Sequence, residues 1–482
     1  MNIRLVLHIV GLLQIFLGLT MLLPLGWAWY FGEPVLEPIL EAMGVTIGAG
    51  ALLFLLTRNG GEIRVREGFG IVTLGWATTA AFGSLPFLFS GTIPGITDAY
   101  FETLSGFTTT GASILTQIES MPRALLLWRS QTQWLGGMGI IVLSIAILPF
   151  LGVGGMQLFR AEVPGPTPDR LKPRISHTAG LLWAVYLLLT VLEIFLLLLG
   201  GMDLFDALNH SFTTMATGGF STRNTSIGAF DSAFIQYVII VFMFMAGVNF
   251  SLHYRFLTRG GPKVYARDRE WVFYVSILCG ATVAIFLSNL IAGHGYGEKA
   301  VRDSLFQVVS ITTTTGYATA DFDRWSSLSR VMLLALMFVG GCAGSTGGGM
   351  KVIRLLLILK HGKSEIKKLL HPRAVFHVKV KKIKVRPEVM LNVQGFFTLY
   401  LALFVFCTFL MAALGLDMIT AASSVAATLG NIGPGLGAVG PMANFAEIPL
   451  IGKWVLSLCM LLGRLEIYTV IILFMPEVWR KF

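Results

Sequence analysis

The sequence predicts an all-α polytopic membrane protein built from four pseudo-symmetric units around one axis, preceded by an extra helix pair. Three observations predict it. The 482-residue chain is 55% hydrophobic and 13% charged, with a mean hydropathy of +0.74, whereas soluble domains carry about a quarter charged residues. Apolar runs of roughly twenty residues, the length that crosses a bilayer, recur from end to end. Four glycine-centred turns interrupt that apolar sequence, at 108–112, 216–220, 314–318 and 431–435. A bilayer tolerates non-helical backbone only where it is buried in protein or lines a cavity.

Taken in order, ten spans read at about 3–30, 37–57, 69–90, 123–150, 175–200, 230–257, 268–292, 327–360, 391–414 and 447–476. The first run carries Arg4 but no small-residue cleavage site, and a second span follows at once, so it reads as a helix and not a signal peptide. Residues 1–66 therefore form an N-terminal transmembrane pair. The four units follow at 67–160, 161–262, 263–388 and 389–482. Inside each, an acid opens a stretch too short to cross the membrane. Asp98, Asp206 and Asp303 stand 13, 12 and 13 residues before Gly111, Gly218 and Gly316, and Asp417 stands 16 before Gly433. An acid at the positive N-terminal end suits a re-entrant half-helix. A second glycine, Gly137, Gly247, Gly341 or Gly463, follows each turn by 25 to 30 residues. A pattern repeated at this period predicts a ring closed by one chain.

The turns suit a cation. Glycine lets backbone carbonyls turn inward unobstructed, and rings of carbonyls can replace an ion's hydration shell. The expected filter residues are Thr109, Thr110, Gly111 and Ala112; Ala216, Thr217, Gly218 and Gly219; Thr314, Thr315, Gly316 and Tyr317; and Asn431, Ile432, Gly433 and Pro434. The fourth turn departs from the Thr-Gly pattern. In the third unit, Gly340, Gly341, Cys342, Ala343, Gly344, Ser345, Thr346, Gly347, Gly348 and Gly349 break a span; six glycines in ten residues each lower helix propensity by about 1 kcal/mol. A flexible segment beneath the filter is expected to act as a gate. Because Gly137, Gly247 and Gly463 lie in otherwise apolar runs, the other three spans are expected to be continuous.

Charge gives orientation. With an even number of spans, 27 of the 36 basic residues fall on the side of both termini, which makes that side cytoplasmic. The net charge of +10 is thus mainly a topology signal, and nucleic-acid binding is excluded because no aromatic-basic motif accompanies it. Cys279, Cys342, Cys407 and Cys459 read as small buried hydrophobes within spans, and His210 as a packing or hydrogen-bonding residue. The run Gly344–Lys351 lacks the Lys-Ser/Thr ending of a phosphate-binding loop. No catalytic constellation appears, so an enzyme is not expected.

The four turns, the N-terminal pair, the 340–349 break and Gly463-Arg464-Leu465-Glu466 resemble the TrkH/KtrB/HKT superfamily of potassium-translocating proteins, its TrkH branch most of all, over essentially the whole chain. The resemblance implies potassium as the transported ion, a homodimer in the bacterial inner membrane with one pore per protomer, and a TrkA-like cytosolic ring that binds the regulatory nucleotide. No tightly bound cofactor is implied. Gated, channel-like uptake down the electrochemical gradient is the favoured activity; a symporter coupled to protons or sodium is the alternative, with Glu193 and Glu466 as its candidate carboxylates. Arg464, too costly to face lipid, is expected to bond carbonyls of the glycine segment, since Glu466, two residues on, points elsewhere. Basic residues in 360–386, with strand-like alternation from Val378 to Val385, suit an acidic partner subunit or anionic lipid headgroups.

Overall fold

The computed structural model describes residues 1–57, 64–146, 171–374, 376–380 and 383–479. Arg58, the expected domain boundary at 160/161, the basic residues from Arg160 to Arg170, Lys381, Lys382, Arg480 and Lys481 lie outside the described residues.

Helices dominate. Among the described residues, six are long and apolar enough to cross a membrane: Ile3–Phe31, Leu36–Leu56, Val65–Phe89, Thr178–Leu199, Arg269–Ile291 and Pro387–Ala413. Two further spans are bent pairs, Ala233–Ala246 with Phe250–Thr258 at 99° and Leu450–Arg464 with Tyr468–Phe474 at 110°. The other two expected spans depart from the simple pattern for different reasons. Arg123–Ala146 is a single 24-residue helix, but Arg129, Ser130, Gln131, Thr132 and Gln133 are all buried in it, so its polarity is spent inside the protein. The eighth run is cut into Ser327–Leu336 and Val352–Leu370 by the glycine segment.

The bends correct the expectation that the spans around Gly247 and Gly463 are continuous. In the second unit the helix stops at Gly247, and Asn249 restarts it by accepting Ser251 N at 2.8 Å. In the fourth, Glu466 and Ile467 take φ of 61° and 51°, a conformation unfavourable for any L residue and most of all for a β-branched one. Among the described residues, only the Gly137 span runs unbroken.

Four half-helices lie between the spans: Ile96–Phe107, Leu204–Met215, Gly297–Thr312 and Met418–Leu429. Asp98 and Asp206 sit in the first turn of theirs and Asp417 is the N-cap of the fourth, accepting Ile419 N and Thr420 N at 3.1 Å each. Asp303 differs from expectation. Its half-helix starts earlier, at Gly297, so the acid stands in the second turn.

Two large clusters make up most of the apolar interior among the described residues. One cluster joins the second and third units through Tyr186, Phe250, Tyr274, Phe306 and Phe322; the other joins the N-terminal pair to the first and fourth through Phe87, Phe101, Trp128, Phe445 and Leu456. Between helices in lipid, close van der Waals fit and not hydrophobicity drives association. Gly11 and Gly50 show this fit in the N-terminal pair, where a Cβ on either would lie 2.8 Å from the other's carbonyl oxygen. Outward faces, such as Leu187, Leu188, Val191 and Phe195, are exposed and apolar.

The basic segment contains a hairpin in place of a single strand: Lys379–Val380 pairs antiparallel with Ile383–Lys384. Val380 packs with Ile353, Leu357, Met390 and Val393 and with Ala343 of the glycine segment. Lys351 and Arg354, counted above among the cytoplasmic basic residues, are buried. Cys342, Cys407 and Cys459 are buried, as expected of small hydrophobes, but Cys279 is exposed, contrary to expectation.

Candidate functional site

Each half-helix runs directly into its turn, and the turns share one backbone pattern. Thr109, Thr217, Thr314 and Asn431 have φ of 50°, 54°, 62° and 53°, and the residues two further on, Gly111, Gly219, Gly316 and Gly433, have φ of 82°, 75°, 85° and 108°. The residues between, Thr110, Gly218, Thr315 and Ile432, are not left-handed. Non-glycine residues pay about 1–3 kcal/mol for that conformation, and its recurrence at four equivalent places marks it as a shared requirement of the turns. The pattern also corrects the register of the second turn: Gly219, and not Gly218, is equivalent to Gly111, Gly316 and Gly433. Asp206 then stands 13 residues before its glycine, as Asp98 and Asp303 do. The position 13 before Gly433 is Thr420.

The turns close a ring. A Cβ placed on Gly111 would strike Gly218 O, one on Gly219 would strike Thr315 O, one on Gly316 would strike Ile432 O, and one on Gly433 would lie 2.9 Å from Thr110 O. Each glycine thus abuts the carbonyl that precedes the glycine of the next unit, in the cyclic order one, two, three, four, one. Only glycine fits at all four positions. Above this ring a vestibule of about 310 Å³ is lined by the four glycines and by residues after them, among them Ser113, Phe220, Ala318 and Pro434.

Side chains brace the ring from behind. On the half-helices, Glu102 accepts from Ser113 Oγ at 2.9 Å and Ile114 N at 2.8 Å, Asp206 from Thr222 Oγ1 at 2.6 Å, Asp303 from Thr319 Oγ1 at 2.8 Å, and Thr420 Oγ1 from Ala438 N at 3.0 Å. Every unit thereby ties the strand leaving its turn back to its own half-helix. Asp98 does not take this part; it pairs with Lys453 Nζ at 2.6 Å. Glu102 is also bound by Arg129 Nε at 2.7 Å, whose guanidinium lies 3.5 Å from the Phe220 ring centroid and donates to Ser221 O at 3.0 Å. Gln133 donates to Gly218 O at 2.8 Å and accepts from Phe220 N at 3.1 Å. Tyr317 OH reaches His210 O at 3.1 Å and meets the Thr213 hydroxyl; His210 is buried and bonded to Asp206 O and Ser221 Oγ. Asn431, where the other turns have threonine, uses its amide to donate to Thr110 Oγ1 at 3.0 Å and Met460 O at 2.9 Å. Ala112 and Ala216 are buried, the latter as the C-cap of the second half-helix.

On the side opposite the vestibule, the segment 340–349 lies against the C-terminal ends of the half-helices. Gly348 N donates to Thr314 Oγ1 at 2.6 Å; Thr346 Oγ1 donates to Met215 O at 3.0 Å; a Cβ on Gly348 would lie 2.6 Å from Gly430 O. Arg464, 2% exposed, donates to Thr346 O at 2.7 Å and to Gly136 O at 3.3 Å. Glu466 instead pairs with Arg354, whose guanidinium stacks 3.9 Å from the Phe396 ring centroid, and Lys351 Nζ donates to Gly347 O. The segment is therefore glycine-rich but held by many bonds. Sequence reasoning overlooked Glu102, Arg129, Gln133, Lys351 and Arg354. The rule that flagged Arg464, a charge within an apolar run, applies equally to Arg129 and Arg354.

A single chain that wraps four half-helix turns into a ring between membrane-length helices is a pore-loop transport protein. Residues 37–481 match the TrkH cation transport protein family, and the chain belongs to that family. It is 45% identical to the Trk system potassium uptake protein TrkH of Halomonas elongata over 484 residues and 44% identical to that of Escherichia coli over 488, all of both chains being covered in each case. The crystal structure of the potassium transporter TrkH from Vibrio parahaemolyticus superposes with a TM-score of 0.91 at 42% identity, covering 100% of each chain. The protein is thus a multi-pass membrane protein of a transport family, and not an enzyme.

Proposed function

We propose that this chain takes up potassium through the ring of turns, as a gated, channel-like pore driven by the electrochemical gradient. The observation that carries it is the cyclic glycine-to-carbonyl contact, which leaves backbone oxygens of all four units around one axis. Potassium is the ion named for its relatives. On this reading the filter comprises residues 109–112, 217–220 in the corrected register, 314–317 and 431–434, and potassium is dehydrated there by carbonyls. The segment 340–349 with Arg464 is the gate, a fixed positive charge behind the ring. The vestibule faces outward, both termini are cytoplasmic, the membrane is the bacterial inner membrane, and the chain divides into the N-terminal pair and four units near 66, 160, 262 and 388. About 2.3 kcal/mol per 100 mV of inside-negative potential drives each ion inward. As a Trk component the chain works with other subunits: a second copy forming a homodimer and a cytosolic nucleotide-binding ring that docks on the basic surface of 360–386, with anionic headgroups beside it.

Symport is the second reading, and one observation favours it: Glu193 is fully buried beside Thr214 with no well-formed hydrogen bond to either oxygen. Glu466 is ion-paired outside the ring. The bi-ionic reversal potential of the reconstituted protein decides. A value that follows the potassium Nernst potential supports the pore; a shift with pH or sodium at fixed potassium establishes coupling. Shortening 344–347 tests the gate and should raise rubidium flux with little change in selectivity; flux that is lost or unchanged in a stable protein overturns it.

A further inference from the structure

A glycine-rich segment has little conformational preference of its own, so its shape is set by what its N–H groups donate to. Gly340 N closes the neck of the segment on Met350 O at 2.9 Å, and Cys342 N and Thr346 N reach Gly247 O and Ala246 O in the second unit at 2.8 and 3.3 Å. Gly348 N is taken by Thr314 at the ring. Ala343 N is held differently: it donates to Glu270 Oε1 at 2.7 Å, a side-chain carboxylate from the side away from the ring.

Glu270 is well placed to do this. It occupies the first turn of Arg269–Ile291, whose N-cap Asp268 accepts Glu270 N at 3.0 Å and Trp271 N at 3.1 Å. The start of the helix is thereby fixed, and its positive end favours a carboxylate. Glu270 is 9% exposed. Around its target, Ala343 packs against Ile353, Leu357 and Val380, so water has little access to replace the acceptor.

We propose that Glu270 is a positioning residue of the gate, its carboxylate fixing the far side of the segment in the closed arrangement while Thr314 holds the ring side. The proposal rests on the reading of 340–349 as the gate. A buried N–H that loses its acceptor has no compensation where water has little access to replace it. Opening therefore requires the Cys342–Ala343 peptide to leave Glu270, and removing the acceptor shifts the equilibrium toward the open arrangement.

The test is rubidium uptake into proteoliposomes by the full-length protein without its cytosolic partner. Glu270→Ala should raise uptake about tenfold, with the potassium-to-sodium ratio unchanged. Glu270→Gln, whose Oε1 still accepts from Ala343 N, should stay within about twofold of the parent; a purely structural role would lower uptake instead. Should Glu270→Ala fail to purify as a stable membrane protein, Glu270→Asp, one methylene short of Ala343, replaces it: raised uptake supports the proposal and parental uptake overturns it. Shortening 344–347 is run in parallel. If that raises uptake and the Glu270 variants do not, the positioning role falls and the gate stands; if neither raises it, the gate reading falls and takes the proposal with it.

Discussion

At the scale of single residues, the left-handed glycines carry the most specific expectation. At Gly316, φ is 85° and a Cβ would strike Ile432 O, so Gly316→Ser must push one wall of carbonyls outward. It should shift the permeability ratio toward sodium by about tenfold, equivalent to about 1.4 kcal/mol of differential binding. Gly219→Ser should act alike, because Gly219 meets Thr315 O in the same way. Bi-ionic reversal potentials measure both, and unchanged selectivity in a folded variant removes the residue from the filter. Arg464→Ala should speed rubidium uptake and weaken control by the cytosolic partner; loss of the dimer or of folding, with no gain in flux, points to packing instead. The sequence made the glycines visible but not the register of the second turn, where adjacent Gly218 and Gly219 compete. The 13-residue interval from Asp98 to Gly111 and from Asp303 to Gly316 selects Gly219, which stands 13 after Asp206. Asn431 was legible only as an exception, since nothing in one sequence says that its amide spans to Thr110.

At the scale of elements, the half-helices are short and depend on their caps. Asp417 caps the fourth; its carboxyl is held below the usual carboxylate range by hydrogen bonding to Thr420, side chain first and then backbone, and to Ile419 N. Its contribution is complete above the unfolded carboxylate pKa of about 3.9 and is lost as pH falls through the lower folded value. Asp417→Ala should cost about 0.5–2 kcal/mol near neutral pH, read as a lower Tm in detergent, and the difference from the parent should shrink in acid. The spans were legible because lipid demands about twenty apolar residues. The bends at Gly247 and Glu466 were not, because each interrupts an apolar run without changing its composition. Their cause is tertiary: Gly247 O is required by Cys342 N, and the left-handed Glu466 is paired with Arg354.

At the scale of the molecule, the ring must join its last unit to its first. Asp98 and Lys453 span that seam, 355 residues apart in sequence. Lys453 is buried and Asp98 about a third exposed (side chains 7% and 35%), so Lys453→Met should destabilise by about 1–3 kcal/mol, nearer the lower figure because water reaches Asp98. Lys453→Met combined with Asp98→Asn should recover part of the lost Tm; no recovery means that the pair does not hold the seam. The cytosolic subunit proposed to dock on the basic surface should bind more weakly as salt rises; co-purification that is independent of salt and survives Lys→Glu reversals across 360–384 counts against that docking surface. Fourfold repetition was plain in the sequence, whereas the order of contact around the axis was not, because it depends on which carbonyl faces which glycine across units.

That cyclic contact has a consequence for dose. In a pore assembled from four identical chains, one altered codon changes every wall at once, and symmetry forbids any intermediate. Here each glycine–carbonyl contact is encoded separately, so one substitution perturbs a quarter of the circumference and leaves three quarters as they were. Selectivity can be adjusted in four steps, and a lesion that would close a symmetric tetramer can leave this pore partly working. The same independence lets one quadrant carry the glycine segment and another an asparagine without either being copied to the rest.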